Sequence, residues 1–307
     1  MRSFSMVGGK VRIITDSGCD IPPEFERRYN IDIMPFYITL DDKEYIERVD
    51  INGERFFKLI AESPTLPKTS QITTARFEDK LIECAKAGCT DAVFVLINRA
   101  GSATLDNCVI AAELLGQSGE LGDMNVHIID SKCYSMGYGY IIIEAAKKLE
   151  AGADAKTIVH FMRDWFDCVE IYIVGFELRH MKKSGRISAA AAFLGEMMGL
   201  RPIISMIDGT TSVVKKSRGD KVVVDDAAKY IYQRYTPNTP WIMVRTTVPD
   251  HENAFIKAFA KESGVMPAYD TDSGCVVASN AGPKFFGVIV KGEKRQSVPD
   301  RSVPDRQ

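Results

Sequence analysis

Asp91-Ala92-Val93-Phe94-Val95-Leu96-Ile97 leads through Asn98 into Gly101-Ser102-Ala103-Thr104. An unbroken apolar run of this length suits a strand buried on both faces. The small and hydroxyl residues after it suit a turn that opens a helix. The pattern recurs outward in both directions. Val11-Arg12-Ile13-Ile14-Thr15 runs into Asp16-Ser17-Gly18-Cys19-Asp20, and Val126-His127-Ile128-Ile129 delivers Asp130-Ser131. Between them, Pro67-Lys68-Thr69-Ser70-Gln71-Ile72-Thr73 places hydroxyls ahead of another helical pattern. Open α/β sheets bind ligands at the carboxyl ends of their strands. Hydroxyls gathered there, beside helix N-terminal N–H groups, suit an anionic headgroup.

Around these runs the first half alternates strand and helix. Helices are expected over 22–29, 52–62, 73–87, 102–115 and 136–150, and strands over 11–15, 31–40, 92–97 and 126–129. Continuous apolar strands separated by helices argue for a parallel sheet with right-handed crossovers. A second unit begins between 152 and 164. It has a strand over 171–174, a small-residue helix over 189–198, and a hairpin whose arms, 202–206 and 211–215, flank Asp208-Gly209. Helices over 222–235 and 251–262 follow, with apolar segments at 241–245 and 275–278. The expected architecture is α/β: two α/β domains with a cleft between them, a parallel sheet in the N-terminal domain and a mixed sheet in the second. The boundaries are 1–163, 164–290 and a polar tail, 291–307, in which Ser297-Val298-Pro299-Asp300-Arg301 repeats at once as Ser302-Val303-Pro304-Asp305-Arg306.

The 307 residues carry a net charge of −2, 45% hydrophobic and 26% charged residues. That balance offers no global attraction to nucleic acid. Seven cysteines without a C-x-x-C pair point to reduced thiols and a cytoplasmic protein. Residues 1–10 lack an apolar core that would serve as a signal peptide, and no apolar stretch is long enough to span a membrane.

Each hydroxyl cluster has a local reading as a helix cap. Thr69-Ser70 exceeds what one helix start requires, and Gly101-Ser102-Ala103-Thr104 combines close backbone access with two hydroxyls. In Ser184-Gly185-Arg186-Ile187-Ser188, Arg186 either receives a carboxylate from a ligand or pairs with an internal acid. Phe193, Leu194, Met197 and Met198 suit either an alkyl-chain wall or ordinary core packing. The four histidines lack metal-ligand spacing, and His127, inside a strand, reads as structural. Gly137-Tyr138-Gly139 carries two glycines of a dinucleotide fingerprint but lies inside a helical pattern.

Seven segments in order resemble the DegV family of bacterial fatty-acid-binding proteins. They are Thr15-Asp16-Ser17; Pro67-Lys68-Thr69-Ser70-Gln71; Gly101-Ser102-Ala103-Thr104; Ile129-Asp130-Ser131 with Met136-Gly137-Tyr138-Gly139; Lys183-Ser184-Gly185-Arg186-Ile187; Arg201-Pro202-Ile203-Ile204 with Asp208-Gly209; and Ala281-Gly282-Pro283. The resemblance runs from about Val11 to Val290. It implies a long-chain fatty acid, such as palmitate, stearate or oleate, held between the two domains. Thr69, Ser70, Ser102 and Arg186 would hold its carboxylate, and Asn280, which stands where the family has histidine, would line the far side. Ala103 stands where the family has glycine. Phe193, Met197 and Met198 would wall an acyl-chain tunnel in the second domain. The resemblance also implies a separate ATP-dependent fatty acid kinase as a possible partner, no cofactor and no catalysis by this chain. The alternative is an enzyme acting on a small phosphorylated or carboxylated metabolite in the cleft, with Ser102 or Asp16 in a chemical role.

Overall fold

The computed structural model describes residues 10–193 and 199–295. From the N-terminus, β1 (Val11–Asp16) passes through a 3-10 turn at Ser17–Cys19 to α1 (Pro23–Tyr29). Then come β2 (Asp32–Met34), β3 (Tyr37–Leu40), β4 (Lys43–Ile46), α2 (Gly53–Glu62), β5 (Lys68–Ser70) and α3 (Thr74–Lys86). Next are β6 (Asp91–Leu96), α4 (Thr104–Ser118), β7 (Asn125–Asp130), α5 (Met136–Glu150) and α6 (Ala155–Phe166). The second half holds β8 (Val169–Gly175), α7 (Arg179–Ser184), β9 (Leu200–Ile207), β10 (Thr210–Arg218), α8 (Asp220–Tyr232) and β11 (Ile242–Arg245). It ends with α9 (Pro249–Ser263), β12 (Tyr269–Asp272), α10 (Cys275–Ala281) and β13 (Phe285–Lys291).

The first sheet is parallel, in the order β2-β1-β6-β7. The second is mixed, β10-β9-β8-β13-β11-β12, with only the β11–β12 pair parallel. A small antiparallel sheet, β4-β3-β5, stands apart. The parallel and mixed sheets agree with the expected α/β class. Asp208 and Gly209 turn the β9–β10 hairpin with φ of 48° and 73°, as the dipeptide predicts.

Three segments differ from their expected form. The strand expected over 31–40 is split between two sheets at Pro35, which has no N–H to donate to a ladder. Residues 189–198 were expected as a helix. Ser188–Phe193 form a 3-10 turn, and Leu194 to Met198 lie outside the described residues. The strand Phe285–Lys291 has no counterpart in the sequence reading, yet it sits between β8 and β11 inside the mixed sheet. Residues just past it stay attached. Gly292 N–H donates to Cys168 O at 2.8 Å, and Arg295 reaches the carbonyls of Phe166 and Val169.

The mixed sheet is sandwiched. In β8, Ile171 and Ile173 face the large core shared with the first half, while Tyr172 and Val174 face α8 and α9. This is the period-2 alternation of a strand buried on both sides. The shared core contains Ile13, Val93 and Ile142 together with Ile204, Val244 and Phe285. Its centre is α5, buried on nearly every side from Met136 to Ala146, as expected of a helix apolar all round. Gly139 lets α5 approach so closely that a side chain there would strike the Cys19 carbonyl. The glycines of 137–139 therefore serve helix packing, not a dinucleotide. The expected domain boundary at 163/164 falls inside α6, whose Ile158, Met162 and Trp165 belong to this same core.

Candidate functional site

The strand ends of the parallel sheet are fixed by buried hydrogen bonds. Asp16, fully buried at the end of β1, accepts from Ile97 N–H at 2.8 Å, Gly18 N–H at 3.0 Å and the Tyr138 hydroxyl at 2.6 Å. This ties the β1 and β6 turns to α5. Asn98, 2% exposed, follows. Its Oδ1 accepts from Ala100 N–H at 3.2 Å, and its Nδ2 donates to Gly209 O at 3.1 Å and to the Tyr134 hydroxyl at 3.2 Å. One asparagine thus joins the β6–α4 loop to the β9–β10 turn of the mixed sheet.

A cavity of about 280 Å³ opens beside this loop, near the lower end of the size range of small-molecule sites. Its polar lining includes Thr69, Gln71, Ser102, Arg186 and Asn280. Its apolar lining includes Ile173 and Met206 of the mixed sheet, Ile187, and Val276, Val277 and Ala281 of α10. Four predicted head residues, Thr69, Ser102, Arg186 and Asn280, thus surround one space. Ser70 does not reach it. Both residues lie in β5, opposite Ile38 and Tyr37, and successive strand side chains point to opposite faces. Thr69 is half-buried at the cavity, Ser70 is exposed, and Gln71 takes the place expected for Ser70.

Ser102 Oγ shares a hydrogen bond of 2.9 Å with Thr104 Oγ1 and accepts from Thr104 N–H at 3.3 Å. Ser102 therefore sits at the mouth of α4, whose positive dipole end favours a negative group. Arg186 donates from Nε to Gly101 O at 3.3 Å and from Nη1 to Ser184 O at 2.9 Å. It pairs with no carboxylate among the described residues, so the internal-acid reading of Arg186 is not what the fold builds. Arg99, also in the lining, pairs with Asp106 at 2.7 Å. Asn280 spends one amide N–H on Val276 O, 2.8 Å away. Of the tunnel residues, Phe193 ends the 3-10 turn Ser188–Phe193, and Met197 and Met198 lie outside the described residues.

Behind the cavity lies a buried acidic group in which Asp16 and Asp20, both noted in the sequence, are joined by Glu47, which was not. Glu47 accepts from Ser17 Oγ, from Cys275 N–H at 2.5 Å and from Val276 N–H at 3.2 Å, so it caps α10, the helix that lines the cavity. Ser135 Oγ donates to Asp20 at 2.5 Å. Burial pushes Asp16 up to about 6 and Asp20 up to about 8, and raises Glu47 as well. The tetrad Asp16-Ser17-Gly18-Cys19 therefore serves the architecture of the site and does not line it. Also missed were Tyr134, Ile173, Ile187, Met206, Val276 and Val277. Their only sequence signal was membership of apolar runs, which a core shares.

His127 behaves as expected, its Nε2 lying 3.0 Å from Asp91 Oδ1. All seven cysteines are buried free thiols. No group of three His, Cys, Asp or Glu able to hold a metal occurs among the described residues, nor any helix long and apolar enough to cross a membrane.

Fold and site define a class: an α/β protein of a parallel and a mixed sheet, with a cavity lined by both hydroxyl and aliphatic side chains. The chain belongs to the DegV family. The model of the uncharacterised proteins of that family matches residues 10–293. A DegV domain-containing protein of Caldanaerobacter subterraneus subsp. tengcongensis is 26% identical over 287 residues, spanning 91% of this chain and 98% of its own. A fatty-acid-binding DegV family protein from Streptococcus agalactiae superposes with a TM-score of 0.82 at 22% identity, over 93% of this chain and all of its own. A stearic-acid-binding protein from Eubacterium ventriosum gives 0.79, also at 22%, over 92% of this chain and 98% of its own.

Proposed function

We propose that this protein binds one long-chain fatty acid in the cavity between its parallel and mixed sheets and acts as a carrier without catalysis of its own. The carboxylate sits among Thr69, Ser102 and Arg186, with Gln71 and Asn280 beside it. The alkyl chain runs along Ile173, Ile187, Met206, Val276 and Val277. One observation carries the reading: a single cavity is lined by hydroxyls, a helix mouth and an arginine together with aliphatic side chains of the mixed sheet and α10. Relatives of the same fold that are described as binding fatty acid, including stearic acid, support it.

The energetics divide in the same way. Each buried methylene contributes about 0.8 kcal/mol, so a chain of fifteen contributes roughly 12 before association costs. Hydrogen bonds to the charged head contribute about 1.5–3 kcal/mol each, offset by desolvation. The tail supplies affinity and the head supplies direction. A carrier that leaves the head accessible suits a separate ATP-dependent kinase acting on the carboxylate, which is the partner proposed here.

The enzyme reading has less support. Asp16 is committed to three hydrogen bonds away from the cavity. No carboxylate or imidazole stands within hydrogen-bond reach of Ser102 Oγ among the described residues. Organic extraction of purified protein followed by mass spectrometry tests the proposal. Palmitate, stearate or oleate at near one per chain is the expected result. No extracted acyl chain, and no uptake of added fatty acid, would refute it.

A further inference from the structure

A second cavity lies against the first. It measures about 510 Å³ and differs in chemistry, being lined by Asn98, Ser184, Ser188, Thr210 and Thr211 with backbone at Gly185 and Gly209. Ser188 and Thr211 share a hydroxyl–hydroxyl hydrogen bond of 2.9 Å on its wall. The two cavities have four residues in common: Ala100, Gly101, Tyr134 and Arg186. Of these only Tyr134 and Arg186 have side chains long enough to separate two spaces.

Both close onto Gly101. Arg186 Nε donates to Gly101 O. A Cβ on Gly101 would overlap the Tyr134 hydroxyl and lie 3.0 Å from its Cζ, so glycine is what admits the ring here. Tyr134 is also anchored along its backbone. The neighbouring Cys133 O accepts from Asn98 N–H at 3.1 Å, and Tyr134 O accepts from Gly137 N–H at 3.1 Å. The hydroxyl end is held by Asn98 Nδ2, which also bonds Gly209 O of the β9–β10 turn. With both ends pinned, the ring stands as a fixed divider.

We infer that Tyr134 sets the size of the ligand's head, its ring ending the acyl cavity at the carboxylate and shutting it off from the hydroxyl-lined cleft beyond. The inference rests on the fatty-acid reading and deepens it: the accepted class is the free acid, and amide-linked acyl conjugates, whose polar group extends past the carboxyl carbon into the cleft, are excluded. Removing the ring joins an apolar cavity to a polar one, which is the shape of such a conjugate.

The test titrates lipid-stripped protein with palmitate and with N-palmitoylglycine. The wild type is expected to prefer palmitate by at least tenfold. In Tyr134→Ala that preference falls at least tenfold, whereas Tyr134→Phe, which keeps the ring, retains it. Tyr134→Leu serves in place of the alanine variant should that variant fail to fold, with a smaller fall expected. Palmitate binding with an unchanged preference in folded Tyr134→Ala, or in Tyr134→Leu where it stands in, would overturn this inference alone. A phenylalanine variant that behaved like alanine would also overturn it, because the hydroxyl would then be the barrier. No palmitate binding by the wild type would remove the fatty-acid reading and this inference together.

Discussion

Ser102 links the mouth of α4 to the head site, because its hydroxyl meets both Thr104 and the cavity. Replacing it with alanine removes one hydrogen bond to a charged head, about 1.5–3 kcal/mol, or roughly ten- to a hundredfold in affinity. Fluorescent fatty-acid titration measures this, and an affinity equal to wild type would take Ser102 out of the head site. Ser70→Ala, by contrast, leaves binding unchanged, since strand alternation turns Ser70 away. At Asp20, burial raises the carboxyl from the ordinary aspartate value of about 4 to about 8. Between those values the folded chain holds a proton that the unfolded chain has released. The unfolded state binds fewer protons, so this group makes stability fall as pH rises through that window. Asp20→Asn therefore loses less stability than wild type between pH 5 and pH 8. Urea denaturation at both pH values measures the difference, and equal losses would show that Asp20 is ionised in the fold. Such residue-level roles were half legible. Thr69, Ser102 and Arg186 carried chemistry in their type and spacing, whereas Asp20 read only as part of a strand-end cluster and Glu47 carried no signal until the fold buried both.

Among elements, α10 depends on a residue far away in sequence. Glu47 bonds the N–H groups of Cys275 and Val276, and the same helix presents Val276, Val277, Asn280 and Ala281 to the cavity. Glu47→Ala strands three buried donors, these two N–H groups and the Ser17 hydroxyl, at a cost of about 1–3 kcal/mol each. It should lower thermal stability and weaken fatty-acid binding together, and a variant that loses stability with binding intact would uncouple α10 from the site. Helices and parallel strands of the first half were legible because each is long and carries its own periodicity. β13 was missed, although it lies inside the mixed sheet with Phe286 fully buried. Phe285 to Val290 is an apolar run of the kind that marks a buried strand, so the signal lay in the sequence and was overlooked because the run is short and follows the turn residues Gly282-Pro283. Phe286→Ala is expected to cost about 3–5 kcal/mol.

For the whole molecule, the large core is common to both sheets. Fragment 1–163 loses the strand residues Ile171, Ile173, Ile204 and Phe285 that complete that core, and it cuts α6. Expressed alone it is expected to bind hydrophobic dye and to melt without a cooperative transition, and a sharp calorimetric transition would show an autonomous domain. The intact, lipid-stripped chain should gain about 2.7 kcal/mol at a ligand concentration of 100 Kd, a Tm rise of roughly 4 °C. Sequence by itself determined the α/β class, the family and the parallel sheet of the first half, and offered candidate hydroxyls, because strand and helix periods and turn residues are local properties. Tertiary structure alone decided which hydroxyl faces the cavity, which acids are buried and where the two spaces divide. Those depend on segments more than a hundred residues apart, such as Asn98 and Gly209, meeting at contact distance, and no local pattern encodes that encounter.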